Sequence, residues 1–123
     1  MSVSELTSSK IRTIILETDK NLPSSRQSYN LFNEGYTIKE ISAGRNLGES
    51  TISNHLAEFV LTGELPVRRL VSEETINELT PYILAAIAED NLKLGPIKET
   101  VDKRFSYDDI RFVMNHLLYS MKK

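Results

Sequence analysis

Cysteine is absent from all 123 residues, so neither a disulfide framework nor a thiolate zinc site is available to the chain. That absence fits a reducing, intracellular setting. No run of about 18 apolar residues occurs, and the N-terminus lacks the basic-then-apolar layout of an export signal. Neither a membrane span nor secretion is therefore indicated, and the chain is expected to be soluble. There is no Gly-x-x-x-x-Gly-Lys-Ser/Thr loop to cradle phosphates and no acidic box to hold magnesium, so a nucleotide-hydrolysing engine is not encoded in these residues. Only two histidines are present, His55 and His116. Without clustered cysteines they read as core-edge or surface residues rather than metal ligands. Positive charge is also scarce. Fifteen Lys and Arg stand against 17 Asp and Glu, for a net charge of -2, which is unusual for a chain that binds a phosphate backbone on its own.

What is present is helical patterning. Hydrophobic residues make up 40% of the composition, enough for a real core in one domain or two very small ones. Thr37 can cap a helix whose inner face carries Ile38 and Ile41, and Ala43 is small enough to admit a close neighbour. Arg45 to Gly48 breaks that helix, with Leu47 plugging the corner and Gly48 tolerating the turn. Glu49 and Ser50 open a second helix with Ile52, Leu56, Phe59 and Val60 as its apolar face. Upstream, Pro23, Ser24 and Ser25 are start signals for a third helix that carries Tyr29, Leu31 and Phe32 and stops at Gly35. Two short helices joined by a tight turn, backed by a third, make a helix-turn-helix. In such a unit the second helix usually enters the DNA major groove.

Residues 24–70 carry Arg26, Lys39, Arg45, Arg68 and Arg69 against Glu34, Glu40, Glu49, Glu58 and Glu64. The motif is electrically neutral. Its second helix is expected to expose Glu49, Ser50, Ser53, Asn54, Ala57 and Glu58, without a lysine or arginine. Hydroxyl and amide groups bond both phosphates and base edges, so Thr37, Ser50, Thr51, Ser53 and Asn54, with the cations Lys39 and Arg45, are the candidate nucleic-acid contacts. Arg68 and Arg69, just after Pro66, are the best local basic pair for a phosphate; a plain solvated surface is the alternative.

The C-terminal half reads as helical too. Ser72 precedes a short helix from Glu73 to Leu79, and Thr80-Pro81 resembles a cap followed by proline at the first helical position. A helix from Pro81 to about Asn91 would turn Ile83, Leu84, Ile87 and Ala88 inward. Gly95-Pro96 marks a boundary before a short helix with Ile97 and Val101 on one face. Ser106-Tyr-Asp-Asp109 has the form of a capping box, which explains Asp108 and Asp109 better than a paired carboxylate does. Ile110, Val113, Met114, Leu117, Leu118 and Met121 then make a long apolar stripe. Tyr29, Phe32, Phe59, Phe105 and Phe112 fall on apolar faces and read as core aromatics. Ile38-Lys-Glu40 with Asn54-His-Leu56 is echoed by Ile97-Lys-Glu99 with Asn115-His-Leu117, either a degenerate repeat or coincidence.

The expected architecture is all-α: an N-terminal extension over 1–23, a trihelical, winged-helix-like helix-turn-helix unit over 24–70, and a second helical subdomain over 71–123 packed on it. Ile11, Ile14, Ile15 and Leu16 fit either a short strand or a helical turn. Met1 followed by small polar residues is compatible with a piece of a larger chain.

Ser28-Tyr-Asn-Leu-Phe-Asn-Glu-Gly35, Thr37-Ile-Lys-Glu-Ile-Ser42, Arg45-Asn-Leu47, Ser50-Thr-Ile52, His55-Leu56 and Thr62-Gly-Glu64 together resemble the helix-turn-helix domain at the C-terminus of bacterial RecQ-type ATP-dependent DNA helicases. Leu94-Gly-Pro-Ile-Lys-Glu99 and Phe105-Ser-Tyr-Asp-Asp-Ile-Arg111 look like the closing part of the same domain, so the resemblance covers about residues 24–118. LuxR-type regulators share the Lys-Glu-Ile and Thr-Ile-x-Asn-His-Leu pattern. The resemblance implies a non-catalytic accessory module of a helicase that unwinds DNA with 3′ to 5′ polarity in recombination and repair. ATP, magnesium and the zinc module usual in such helicases would belong to the parent, in the bacterial cytoplasm at the nucleoid. Expected partners are DNA, held weakly and mainly by its backbone, the helicase core in cis, and a repair protein. A protein-interaction module of the same helicase is the alternative, and a LuxR-like transcription regulator a more distant one.

Overall fold

The computed structural model describes residues 10, 11 and 22–122. Among these residues the regular structure is entirely helical: α1 (Ser24–Asn33), α2 (Ile38–Arg45), α3 (Glu49–Thr62), a 3-10 turn (Val67–Arg69), α4 (Glu73–Ala88), α5 (Leu94–Thr100) and α6 (Tyr107–Met121). No strand occurs among them, so the trihelical unit carries no β wing there. The chain divides into two compact units, Met1–Leu56 and Ala57–Lys123. The division falls inside α3, whereas the sequence pattern suggests a boundary at residue 70. The alternative readings for Ile14, Ile15 and Leu16 lie outside the described residues.

In the first unit, Pro23 stands at the N-cap of α1. Gly35, at φ +105°, ends that helix. The Tyr36 N–H donates to Leu31 O and the Gly35 N–H to Phe32 O, the paired bonds of a Schellman motif. Leu31, Ile41, Ile52 and Leu56 are completely or almost completely buried. Ile41 and Ile52, eleven positions apart, therefore both face inward as their spacing implies. Close approach is provided not by Ala43, which is exposed, but by Gly44. A Cβ there would stand 2.7 Å from Cβ and Cγ2 of the fully buried Ile11. Ile11 is helical.

In the second unit, α4 corrects the expected break at Thr80-Pro81: one helix runs through it, with Pro81 in its interior. Proline has no N–H, so the Asn77 carbonyl loses its helical partner, but Asn77 is exposed and water can replace it. The helix persists because Ile76, Leu79 and Ile83 are buried on either side of the proline. Burying three such side chains is worth about 1.5–3 kcal/mol each, against a helix penalty of about 3 kcal/mol for proline. The register of the inner face also differs from expectation. Ile83 is buried, whereas Leu84 is 42% exposed and Ala88 is exposed.

Helix α6 starts at the expected capping box, with Ser106 Oγ accepting from the Asp109 N–H at 3.0 Å and Asp109 Oδ2 accepting from the Ser106 N–H at 3.0 Å. Ile110, Phe112, Val113 and Met114 are buried, whereas Met121 is 59% exposed. Helices α4, α5 and α6 pack on one another, and α6 also contacts the 3-10 turn. The echoed triplets both fall on helices, but the linkers between those helices are unequal, residues 46–48 in one case and 101–106 in the other.

Candidate nucleic-acid interface

The turn between α2 and α3 is built by Asn46. Its φ of 57° and ψ of 44° are left-handed, a conformation that asparagine tolerates better than most residues. Gly48, expected to supply this freedom, has no positive φ. It instead precedes α3, with its carbonyl accepting from the Ile52 N–H at 3.2 Å. Leu47 closes the corner: its N–H donates to Ser42 O at 3.0 Å, and its carbonyl accepts from Ser42 Oγ. These bonds fix where α3 starts.

Thr37 opens α2 with a full capping box. Its Oγ1 accepts from the Glu40 N–H at 3.1 Å, and its own N–H donates to Glu40 Oε1 at 2.9 Å. The hydroxyl is thus engaged by its own helix. Arg45, at the other end of α2, is turned inward onto α1. Its Nη1 donates to Ser24 O at 2.9 Å and Ser28 Oγ at 2.5 Å, and its Nη2 to Ser24 Oγ at 2.9 Å and Gln27 Oε1 at 3.1 Å. Burial lowers the Arg45 pKa from its ordinary value. Ser28 is itself fully buried and lies 2.8 Å from His55 Nδ1. Since Ser28 Oγ accepts from Arg45, its own proton is placed to serve the His55 ring. One buried hydroxyl thereby joins α1, the end of α2 and α3. Arg45 stands here as a structural clamp, not as an outward-facing cation.

Helix α3 presents a narrower polar face than its sequence suggests. Ser53 and Ala57 are each only 2% exposed, which corrects their expected place on the outer face and withdraws Ser53 as a surface contact. Glu49, Ser50, Asn54 and Glu58 are exposed and Thr51 is half-buried. The side chains of Ser50, Thr51 and Asn54 make no hydrogen bond with a described residue, nor does Lys39, which is exposed on α2. Gly48, lacking a side chain, cannot cap the first-turn N–H groups of α3. These features leave hydroxyl, amide, ammonium and backbone N–H donors on the motif, interrupted by two carboxylates.

Arg68 and Arg69 lie on the 3-10 turn of the second unit. Arg68 is held by Glu73, with Nε donating to Oε2 at 2.5 Å and Nη2 to Oε1 at 3.3 Å. That bond raises the pKa of Arg68 and lowers that of Glu73. Both groups are well exposed, so the pair adds little to stability. His116 lies in their field; its pKa is lowered by burial and then by the Arg68 charge, with Glu73 opposing. No sequence signal singled out Ser28, Asn46 or Gly44, although a short polar residue within an apolar stripe and an asparagine at a helix end are the patterns that would have.

Three helices around buried isoleucines, with a left-handed turn leading into a helix of exposed small polar residues, define an all-α helix-turn-helix protein. Residues 24–114 match the family described as helix-turn-helix domain, and the chain belongs to that family. No curated protein matches the chain, and no solved structure does. Among the described residues no helix is long and apolar enough to cross a membrane.

Proposed function

We propose that this helix-turn-helix chain is a non-catalytic nucleic-acid-binding accessory module, with α3 as the element laid against DNA. The observation that supports this reading is the unengaged donor set on the motif: Ser50, Thr51 and Asn54 on α3, Lys39 on α2, and the uncapped N-terminus of α3, where backbone N–H groups favour a phosphate. With Arg45 directed inward and Glu49 and Glu58 close by, this face neutralises only one or two phosphates. Binding is accordingly weak, local and dominated by the backbone. The RecQ resemblance supplies a setting in which weak contacts suffice, because tethering to a helicase core raises the effective concentration to about the millimolar range. In that setting the module serves a RecQ-like ATP-dependent helicase in recombination and repair, and ATP and magnesium are bound by the parent.

The test is fluorescence anisotropy with duplex, forked and 3′-overhang DNA across a salt series. Each neutralised phosphate contributes a log–log slope of about -0.9, so one or two contacts weaken binding roughly 3- to 12-fold between about 50 and 200 mM salt. Lys39→Ala should flatten the slope, whereas Ser50→Ala with Asn54→Ala should weaken binding at unchanged slope. No signal at about 100 μM chain in low salt, the weak end of ordinary non-specific binding, overturns the proposal. A helicase core encoded upstream of residue 1 tests the RecQ setting separately.

A further inference from the structure

A half-open groove of about 340 Å³ runs along the second unit and is lined by none of the candidate contact residues of the motif. One wall is a single stripe of α4, Tyr82, Ala85, Ala86 and Glu89, at the i, i+3, i+4, i+7 spacing of one helix face; the other includes Pro96 and Ile97 of α5. The two alanines leave the space, and Tyr82, 50% exposed, forms its apolar edge. Leu84 and Leu92 are exposed large hydrophobic residues of the same helix and the segment after it.

The end of the groove is electrically unbalanced. Helix α4 has no basic residue in its last turn, although the C-terminal end of a helix carries partial negative charge and favours cations. Glu89, which lines the groove, and its sequence neighbour Asp90 follow there instead, and neither makes an ion pair with a described residue. The carbonyls of Ala85, Ala86 and Ile87 are capped by the backbone N–H groups of Glu89, Asn91 and Asp90, so the negative charge at this end is that of the unpaired carboxylates. An apolar floor leading to them repels phosphate and suits an apolar side chain followed by a cation. We propose that this groove is a docking site for a polypeptide partner whose bound segment places an aliphatic or methionine side chain between α4 and α5 and a lysine or arginine beside Glu89 and Asp90. The site is independent of the nucleic-acid reading of the motif.

The full chain, immobilised, is panned with a random dodecapeptide library, with the Ala85→Arg chain as counter-selection. Enriched peptides are expected to carry an aliphatic residue or methionine with Lys or Arg within one helical turn. Ala85→Arg should abolish their binding. Glu89→Gln with Asp90→Asn should weaken it about 3- to 30-fold, the size of two exposed charge pairs, and high salt should erase that difference. Circular dichroism checks that the variants fold; Tyr82→Glu replaces Ala85→Arg if the latter does not. The proposal is overturned if no peptide is enriched, if enrichment is equal on the counter-selection chain, or if the enriched peptides are acidic. DNA that competes for the groove overturns it as well, and so does self-association of the chain that Ala85→Arg abolishes, since either assigns the groove to another occupant.

Discussion

Replacing Arg45 with alanine separates two roles that a cation at the end of α2 can play. The guanidinium makes four hydrogen bonds to α1, one of them to the fully buried Ser28 hydroxyl. A hydrogen bond from a charged donor to a buried acceptor is worth about 1.5–3 kcal/mol net. The bonds to Ser24 and Gln27 are more accessible, so water takes over most of their value. Arg45→Ala should therefore lower the unfolding free energy by about 2–3 kcal/mol, read by urea denaturation followed by circular dichroism, with a fall in melting temperature on the order of 10 °C. Arg45→Lys should recover less than half of the loss, because one ammonium cannot span three residues as a planar fork does. Once the lower stability is allowed for, the salt slope of DNA binding should stay as it was. A phosphate-contacting Arg45 gives the opposite pair of results: stability within about 0.5 kcal/mol of the parent and a slope reduced by about 0.9. That outcome would refute the clamp.

Further substitutions, centred on Pro81, Asn46, Gly63 and His116, test the fold. Pro81→Ala restores an N–H for the Asn77 carbonyl and should stabilise the chain by about 1–3 kcal/mol in the same denaturation assay; a neutral result would mean that local adjustment already absorbs the proline. Asn46→Ala should destabilise by about 1–2 kcal/mol, the cost of a left-handed residue with a Cβ, while Asn46→Gly should be near neutral. Gly63 has φ +85°, and a Cβ there would run into the Tyr119 ring, so Gly63→Ala should cost more than about 1 kcal/mol, and less in a Tyr119→Ala background if the clash contributes. His116 has a lowered pKa in the folded chain, so the unfolded chain takes up its proton first as pH falls. Its contribution is present above the ordinary histidine value and is lost as pH drops through the folded pKa. His116→Gln should flatten the stability profile below about pH 6.5.

Sequence made the helix starts legible because capping is local. The Thr37–Glu40 and Ser106–Asp109 boxes are each closed within four residues, and Gly35 ends α1 by a conformation that most other residues resist. The inward pairing of Ile41 and Ile52 was likewise readable from spacing. Pro81 was misleading because a local rule was outweighed by burial of Ile76, Leu79 and Ile83, which depends on what packs against α4. The candidate contacts suffered most. Thr37, Arg45 and Ser53 belong to residue types that bond phosphates, but type does not say whether the group is already engaged, as Thr37 and Arg45 are, or buried, as Ser53 is.

What the sequence determined by itself is the all-α class, the helix-turn-helix and the neutrality of the motif, since periodicity, caps and charge are fixed by residues within a few positions of one another. Tertiary structure alone decided that Arg45 clamps α1 through Ser28, that Ser53 is buried while Asn54 is exposed, and that α4 and α5 leave an apolar groove with Glu89 in its lining. Those outcomes depend on which distant residues come to occupy the same space, and burial changes what a guanidinium, a hydroxyl or a carboxylate can do.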